Sequence, residues 1–232
     1  MSGLRWDAID RRDELIKAAT LLFAQKGYVR ATVRELAKQA GCSQGLIRHH
    51  FGDKQGLLMA VLGQRRSDAQ SAVHRLPPCD TVEEEFIQFF EWNIDSIWKT
   101  RDVVRVSRSR AGVDPEIAME LRHHAGERHA TIAERLAVHQ ARGQIAEDQD
   151  LVAVAKLVCT AASDIAITMQ LLFGEDRDVL SQVARQFAEI ISAGIRPRRD
   201  VSPSPAKLRP ERARRHPQEL VAPLPSGAEV GD

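Results

Sequence analysis

Gln44, Gly45, Leu46, Arg48, His49 and His50 fall within one short stretch of the chain, residues 32–54, in which no acidic residue occurs between Glu35 and Asp53. Amide, guanidinium and imidazole side chains grouped this way suit the edges of base pairs. Gln can bond an adenine, Arg can bond a guanine or a phosphate, and Leu46 can touch a thymine methyl. Thr32, Val33, Ser43 and Lys54 flank the group. A helix that starts near Thr32 and Val33 turns backbone amides towards a phosphate, and Lys54 is placed to neutralise another. The expected partner is double-stranded DNA. A helical hairpin with a solvated polar face has the same local pattern, so the elements that carry the cluster decide between the two.

Those elements are legible. Thr32-Val33-Arg34-Glu35 is a capping box that opens a helix. Gly41 sits where that helix must stop and turn. Ser43 is an N-cap for a further helix from Gln44 to His50 or Phe51. Leu36, Ala37, Ala40, Cys42 and Ile47 are the small or apolar positions, and they leave the polar cluster facing outward. Two short helices joined by a tight turn form a helix-turn-helix. A preceding helix runs from about Asp10 to Lys26, with Leu15, Ile16, Ala19, Leu22 and Phe23 at helical spacing and Gly27 at its end. Gly52-Asp53 breaks the chain again, and Asp53 caps a helix from Lys54 to about His74.

The remainder reads as longer helices. A capping box at Thr81 opens one through Trp98 or Lys99, a short one spans Val103 to Arg110, and Asp114-Pro115 opens one to about Gln140. Residues 150–173 are the most apolar, and residues 177–194 are amphipathic, with Val179, Leu180, Val183, Phe187, Ile190 and Ile191 on the apolar side. From Arg196 the composition changes: seven of the ten prolines lie in 197–232, as expected of a disordered basic tail.

The net charge of +1 conceals an asymmetry. Residues 1–66 hold 12 Lys/Arg and 6 Asp/Glu, residues 67–195 hold 13 and 21, and residues 196–232 hold 8 and 5. A basic head on an acidic body fits a polyanion partner for the head. No apolar run approaches the ~20 residues that cross a bilayer. The charged N-terminus lacks the apolar segment of a secretory signal. Cys42, Cys79 and Cys159 lie far apart, which favours a reducing cytoplasm over a disulfide framework. No nucleophile elbow, metal-ligand cluster or phosphate loop is present, so neither an enzyme nor a bound cofactor or metal is expected.

Residues 13–62 resemble the N-terminal domain of the TetR family of transcriptional regulators. Ile16, Ala18-Ala19, Leu22-Phe23, Gly27, Thr32, Val33, Leu36-Ala37, Ala40-Gly41, Ser43, Gly45, Ile47, His50-Phe51, Lys54 and Leu57-Leu58 carry the likeness in order. It implies a homodimer on a pseudo-palindromic operator, usually a repressor, released by a small-molecule effector bound in the C-terminal domain. Gln44, Gly45, Leu46, Arg48 and His50 then contact base edges or the groove, and Thr32, Ser43, His49 and Lys54 contact phosphates. Arg48 stands where the family usually has Tyr, and Cys42 where Val is commonest.

The expected architecture is all-α, with about nine helices: a DNA-binding domain over 1–53, a ligand-binding and dimerisation domain over 54–195, and the tail. The resemblance puts the dimer interface on the helices at 150–173 and 177–194. Phe89, Trp92, Trp98, Met119, Met169 and Phe173 are candidates for an apolar effector pocket, though each residue type is more often plain core. His123, His124 and His129 lack metal-ligand spacing and are expected at the surface. Arg105, Arg108 and Arg110 could meet an anionic ligand, and are otherwise expected on a solvated face. The competing functions are an architectural DNA binder without sequence preference and, further off, a small helical enzyme.

Overall fold

Helix after helix begins at a residue whose side chain can accept from the first free amides. Thr32 and Glu35 close their capping box at the start of α2 (Val33–Gln39), with Thr32 Oγ1 accepting from the Glu35 amide at 3.2 Å and Glu35 Oε2 from the Thr32 amide at 3.0 Å. Ser43 Oγ caps α3 (Gln44–Phe51) and Asp53 Oδ1 caps α4 (Lys54–His74). Thr81 with Glu84 repeats the box at α5 (Val82–Lys99), and Asp114 ahead of a first-position proline caps α7 (Pro115–Ala141). Each such cap is worth about 1 kcal/mol. The helix ahead of them, α1, spans Gly3–Lys26, longer at its N-terminus than its apolar spacing indicates. The short α6 spans Arg101–Ala111.

The computed structural model describes residues 3–198, with side chains from Arg11 onward; the expected tail beyond residue 198 lies outside them. Among the described residues the fold is all-helical, with nine helices and no strand. The apolar stretch at 150–173 forms α8 (Leu151–Asp164), which widens into a π-helix over Ile165–Leu172. There the Phe173 amide bonds the Thr168 carbonyl, five residues back, at 3.1 Å. Residues 151–172 are long and apolar enough to cross a membrane, contrary to the expectation that no segment was. Their inner face is buried on α5, α7 and α9 (Arg177–Ile195), so they serve here as a core helix.

Two apolar cores hold the chain together. One gathers Leu15, Ala19, Phe23 and Leu36 with Ile47, Leu57 and Leu58, and takes in Val103 of α6 and Ile117 of α7. The other stacks Phe86, Phe90, Ile94, Val158 and Leu180 between α5, α8 and α9. Each large side chain buried this way contributes about 1.5–3 kcal/mol. Helix α4 serves both, with Leu57 to Leu62 in the first and Val73 in the second. At the far end a buried polar network joins α5 to α7. Glu85 accepts from Arg135, Arg135 Nη1 donates to the Leu76 carbonyl at 3.0 Å, and His139 Nε2 lies 3.5 Å from Glu85.

Helix α9 is apolar on two faces. Leu180, Ala184, Ala188, Ile191 and Ile195 are buried, while Val179, Phe187 and Ile190 stay exposed, Ile190 at 65%. The apolar positions expected on one side of this helix therefore divide between core and solvent.

Candidate functional site

The turn of the hairpin is built for close helix crossing. Gly41 has φ +62°, where a β-carbon would be strained, and the Cys42 amide returns to the Ala37 carbonyl at 2.9 Å. Ala37 is buried at the crossing, and Ile47 is fully buried from α3. With Ile47 turned in, Gln44, Gly45, Arg48 and His49 are exposed, and Leu46 and His50 are half-buried. The rings of His49 and His50 lie edge to face at 5.3 Å. Among the described residues, no side-chain hydrogen bond or ion pair occupies Gln44, Arg48, His49 or His50. Their donors and acceptors are spare.

Gly45 gives a second reading of the same face. A β-carbon there would meet only Ser43 Oγ at 3.6 Å, an ordinary contact. Folding does not require glycine at this exposed helical position. Gly56, in the first turn of α4, is different: a β-carbon would stand 2.0 Å from the Phe51 carbonyl oxygen.

The flanking groups divide. Thr32, exposed, and Val33, half-buried, head α2, and the Thr32 hydroxyl is engaged with Glu35 at 3.0 Å. The bond from Lys26, then those from Thr32, hold the Glu35 carboxyl down to about 2. Ser43 Oγ is taken by its cap. Lys54, expected at a phosphate, also bonds main-chain carbonyls within the head. Its Nζ donates to the Ala31 carbonyl at 2.8 Å and the Val29 carbonyl at 3.3 Å, and sits 4.4 Å from the Tyr28 ring centre. It is drawn inward because the turn at 29–31 leaves carbonyls that no helix satisfies, and an ammonium can bond several at once.

The body holds a cavity of ≈ 530 Å³ between α4, α5, α6, α7 and α8 with its π-helical extension. Ile97, Val104, Leu121 and Ile167 supply apolar wall; Arg65, Arg108, Arg122 and Arg128 supply charge. His124 is buried on the same wall, not at the surface as expected. Burial, then the charges of Arg128, Arg65 and Arg66, push its pKa down to about 3, so its ring is neutral at pH 7. Burial pushes the Cys159 thiol up to about 11, which keeps it protonated.

The six expected pocket residues do not assemble there. Phe89 is sealed in the core, and Met169 packs partly buried against it. Trp98, Met119 and Phe173 are exposed at 49%, 60% and 70%. Trp98 carries the Arg101 guanidinium 4.7 Å from its ring centre on the outside. Met119 lies two residues from buried Ile117, on the far side of α7. Trp92 lines a second cavity of ≈ 390 Å³ between α1, α4 and α5. Arg108 is exposed, as expected, and also borders the larger cavity. Large Phe, Trp and Met side chains do not mark the walls of the larger cavity. A guide to them lay in α7, where Leu121, His124, Ala125 and Arg128 recur at i, i+3, i+4 and i+7, with ionisable groups in an otherwise inward stripe.

The comparisons with known proteins bear on both regions. Residues 15–61 match the model for "Bacterial regulatory proteins, tetR family". The chain is 43% identical over 65 residues to the HTH-type transcriptional regulator BetI of Stenotrophomonas maltophilia, across 28% of this chain and 33% of that one. It is 48% identical over 50 residues to the HTH-type transcriptional repressor AcnR of Corynebacterium glutamicum, across 22% of this chain and 27% of that one. The matched stretch thus spans a third or less of either relative's length. The fold is shared more widely. GusR of Salmonella enterica superposes with TM-score 0.67 at 17% identity, over 79% of this chain and 96% of its own. A TetR-family regulator of Pectobacterium atrosepticum does so with TM-score 0.65 at 21% identity, over 84% and 98%. Residues 15–61 belong to the TetR family of bacterial regulatory proteins, and the helical body behind them has the fold of that family's solved regulators.

Proposed function

We propose that the protein is a sequence-specific DNA-binding transcriptional regulator, acting as a homodimer and released from a pseudo-palindromic operator by a small-molecule effector in the ≈ 530 Å³ cavity. The observation that carries this is the outer face of α3. Gln44, Arg48 and His49 stand free in solvent, Ile47 fixes their direction, and Gly45 lacks a β-carbon that folding would have tolerated. Such a helix enters the major groove with Gln44, Arg48 and Leu46 towards base edges. The amides of α2 and His49 meet the backbone. Lys54 holds the 29–31 turn with two donors and has a third for a phosphate.

The exposed apolar groups of α8 and α9, among them Leu157, Phe187 and Ile190, support the dimer. Apolar residues on two faces of one helix are what a core helix needs when a second copy covers its outer side. The two recognition helices then read half-sites about one DNA turn, ~34 Å, apart. Release by an effector draws support from the way the cavity walls reach the head. Val103 of α6 and Ile117 of α7 belong to the head's own core, and Arg110 of α6 lies 5.6 Å from the Tyr28 ring centre. The proposed domain division, with the head ending near residue 53, is one of function, since α4 packs in both cores. The proposed setting is the cytoplasm, where an operator is found.

The test is fluorescence anisotropy of the full chain on DNA from its own upstream intergenic region, beside random duplex, at two salt concentrations. A large preference for the intergenic DNA is expected, and Arg48→Ala is expected to cost ~1–3 kcal/mol of it. Equal, salt-sensitive affinity for both DNAs would support an architectural binder instead.

A further inference from the structure

We propose that the ≈ 530 Å³ cavity is selective for an organic anion, a carboxylate or phosphate carried on an apolar body, with Arg128 and Arg65 holding the charged end. This rests on the reading of the cavity as the effector site and adds the chemical class of the effector.

Most half-buried arginines of this protein have a carboxylate partner. Arg66 is paired with Glu120 at 2.9 Å and Glu127 at 2.6 Å. Arg110 is paired with Asp114, Arg135 with Glu85, and Arg177 with Glu91 and Asp95. Among the described residues, no ion pair is formed by Arg65, Arg108, Arg122 or Arg128, and all four border the cavity. The difference is sharpest between neighbours on α4, where Arg66 has two carboxylates and Arg65 has none.

The two inner guanidiniums keep only neutral partners. Arg65 Nε donates to Thr100 Oγ1 at 3.0 Å. Arg128 Nη1 donates to Asn93 Oδ1 at 3.3 Å, and its Nε is buried with no acceptor at all. A guanidinium has five N–H donors, so most remain unused. Burial comes first, and neighbouring cations second, in lowering both pKa values, Arg65 to about 10; both stay charged. Buried cations without counter-charges are costly, and a planar fork of free donors matches a carboxylate or phosphate in two-point contact. Asp164 is the one acid on the cavity wall, and its Oδ1 accepts from Thr168 Oγ1 at 2.7 Å. Ile97, Val104, Leu121 and Ile167 line the remaining wall and suit an apolar body.

Isothermal titration of the full chain with decanoate, decyl phosphate, decanol and decyltrimethylammonium tests the charge at constant chain length. At least one anion is expected to bind tenfold or more tightly than decanol, and the cation more weakly than decanol. The two anions decide which head group fits better. Arg128→Met is expected to remove the preference while leaving decanol binding in place. Arg65→Met serves as the second variant, and the wild-type comparison stands without either. Equal affinity for the anions and decanol, or no binding of either anion, overturns the inference and leaves DNA binding untouched. Selective anion binding that does not alter DNA retention upholds the inference and sinks instead the reading of the cavity as a regulatory site.

Discussion

Arg48 on α3 and Arg128 on α7 are the same side chain in two settings. Arg48 stands in solvent with its donors open, and the hairpin beneath it is finished by other residues: Ile47 in the core, Thr32 and Ser43 at the caps, Gly41 in the turn. Arg128 is enclosed by α5, α6 and α8, and a donor that solvent would have satisfied is left bare. In the head, folding and recognition fall to different residues. In the body the charged groups sit inside the fold itself, so the cavity's charge is carried at a cost in stability. A surface that meets a large polyanion can stay solvated until it arrives. A cavity that meets a small molecule must hold its charges out of water beforehand.

Two glycines break or sharpen the first half of that contrast, with the largest expected effect. Gly56→Ala puts a β-carbon 2.0 Å from the Phe51 carbonyl oxygen, backbone against backbone, at the turn that sets α3 on α4. Denaturant unfolding should show a loss of roughly 3 kcal/mol or more. Gly45→Ala meets nothing closer than 3.6 Å and gains helix propensity, so stability should hold or rise by up to about 1 kcal/mol while DNA affinity falls. If Gly45→Ala unfolds the head, recognition and folding are not separate there.

The second prediction concerns the cost inside the body. The neutral form of His124 is the one the fold accepts, with a folded pKa of about 3 against an ordinary 6.5. The unfolded chain therefore binds the extra proton first, and stability rises with pH across that window. It is complete above pH 6.5 and is lost as pH falls towards 3, at up to about 1.4 kcal/mol per unit. Unfolding free energies at pH 7.5, 6 and 5 should fall by about 2 kcal/mol across the series, before most carboxylates titrate. His124→Gln should flatten this slope. An equal slope in the variant would assign it to other groups.

What was legible in the sequence follows the same division. The head could be read because local signals dictate it: a capping box at Thr32, a turn glycine at Gly41, a cap at Ser43 and one inward Ile47. Helices α4, α5 and α7 were equally clear from their caps. The inner surface of the body was not. Trp98 and Met119 are large and apolar, yet both face out, because the choice of face depends on which helices lie opposite. The π-helical widening after Asp164 also escaped, since Ile165–Leu172 continues the apolar pattern of α8 without a break in composition. The internal bonds of Lys54 were not legible either. Its charge suggested a phosphate, while the carbonyls of Val29 and Ala31 that claim it come from a turn whose position only the folded head defines.

The smallest expected effect is the most specific, and it compares two arginines directly. Arg66→Met removes a cation shared by Glu120 and Glu127 and leaves two carboxylates facing each other, so a loss of about 1–2 kcal/mol is expected. Arg128→Met removes a buried cation that has no counter-charge and replaces it with an apolar chain of similar length. Asn93 Oδ1 loses a bond at 3.3 Å, while Asn93 Nδ2 keeps its own to the Ala162 carbonyl at 2.8 Å. The relief of the bare guanidinium should offset that loss, leaving stability unchanged or higher by about 1 kcal/mol. Chemical denaturation of both variants beside the wild type decides it. A stabilised Arg128→Met would mean the charge is kept at the expense of the fold, as a ligand-holding group would be. A variant destabilised as much as Arg66→Met would make Arg128 a structural residue, and the contrast with Arg48 would fail at the body.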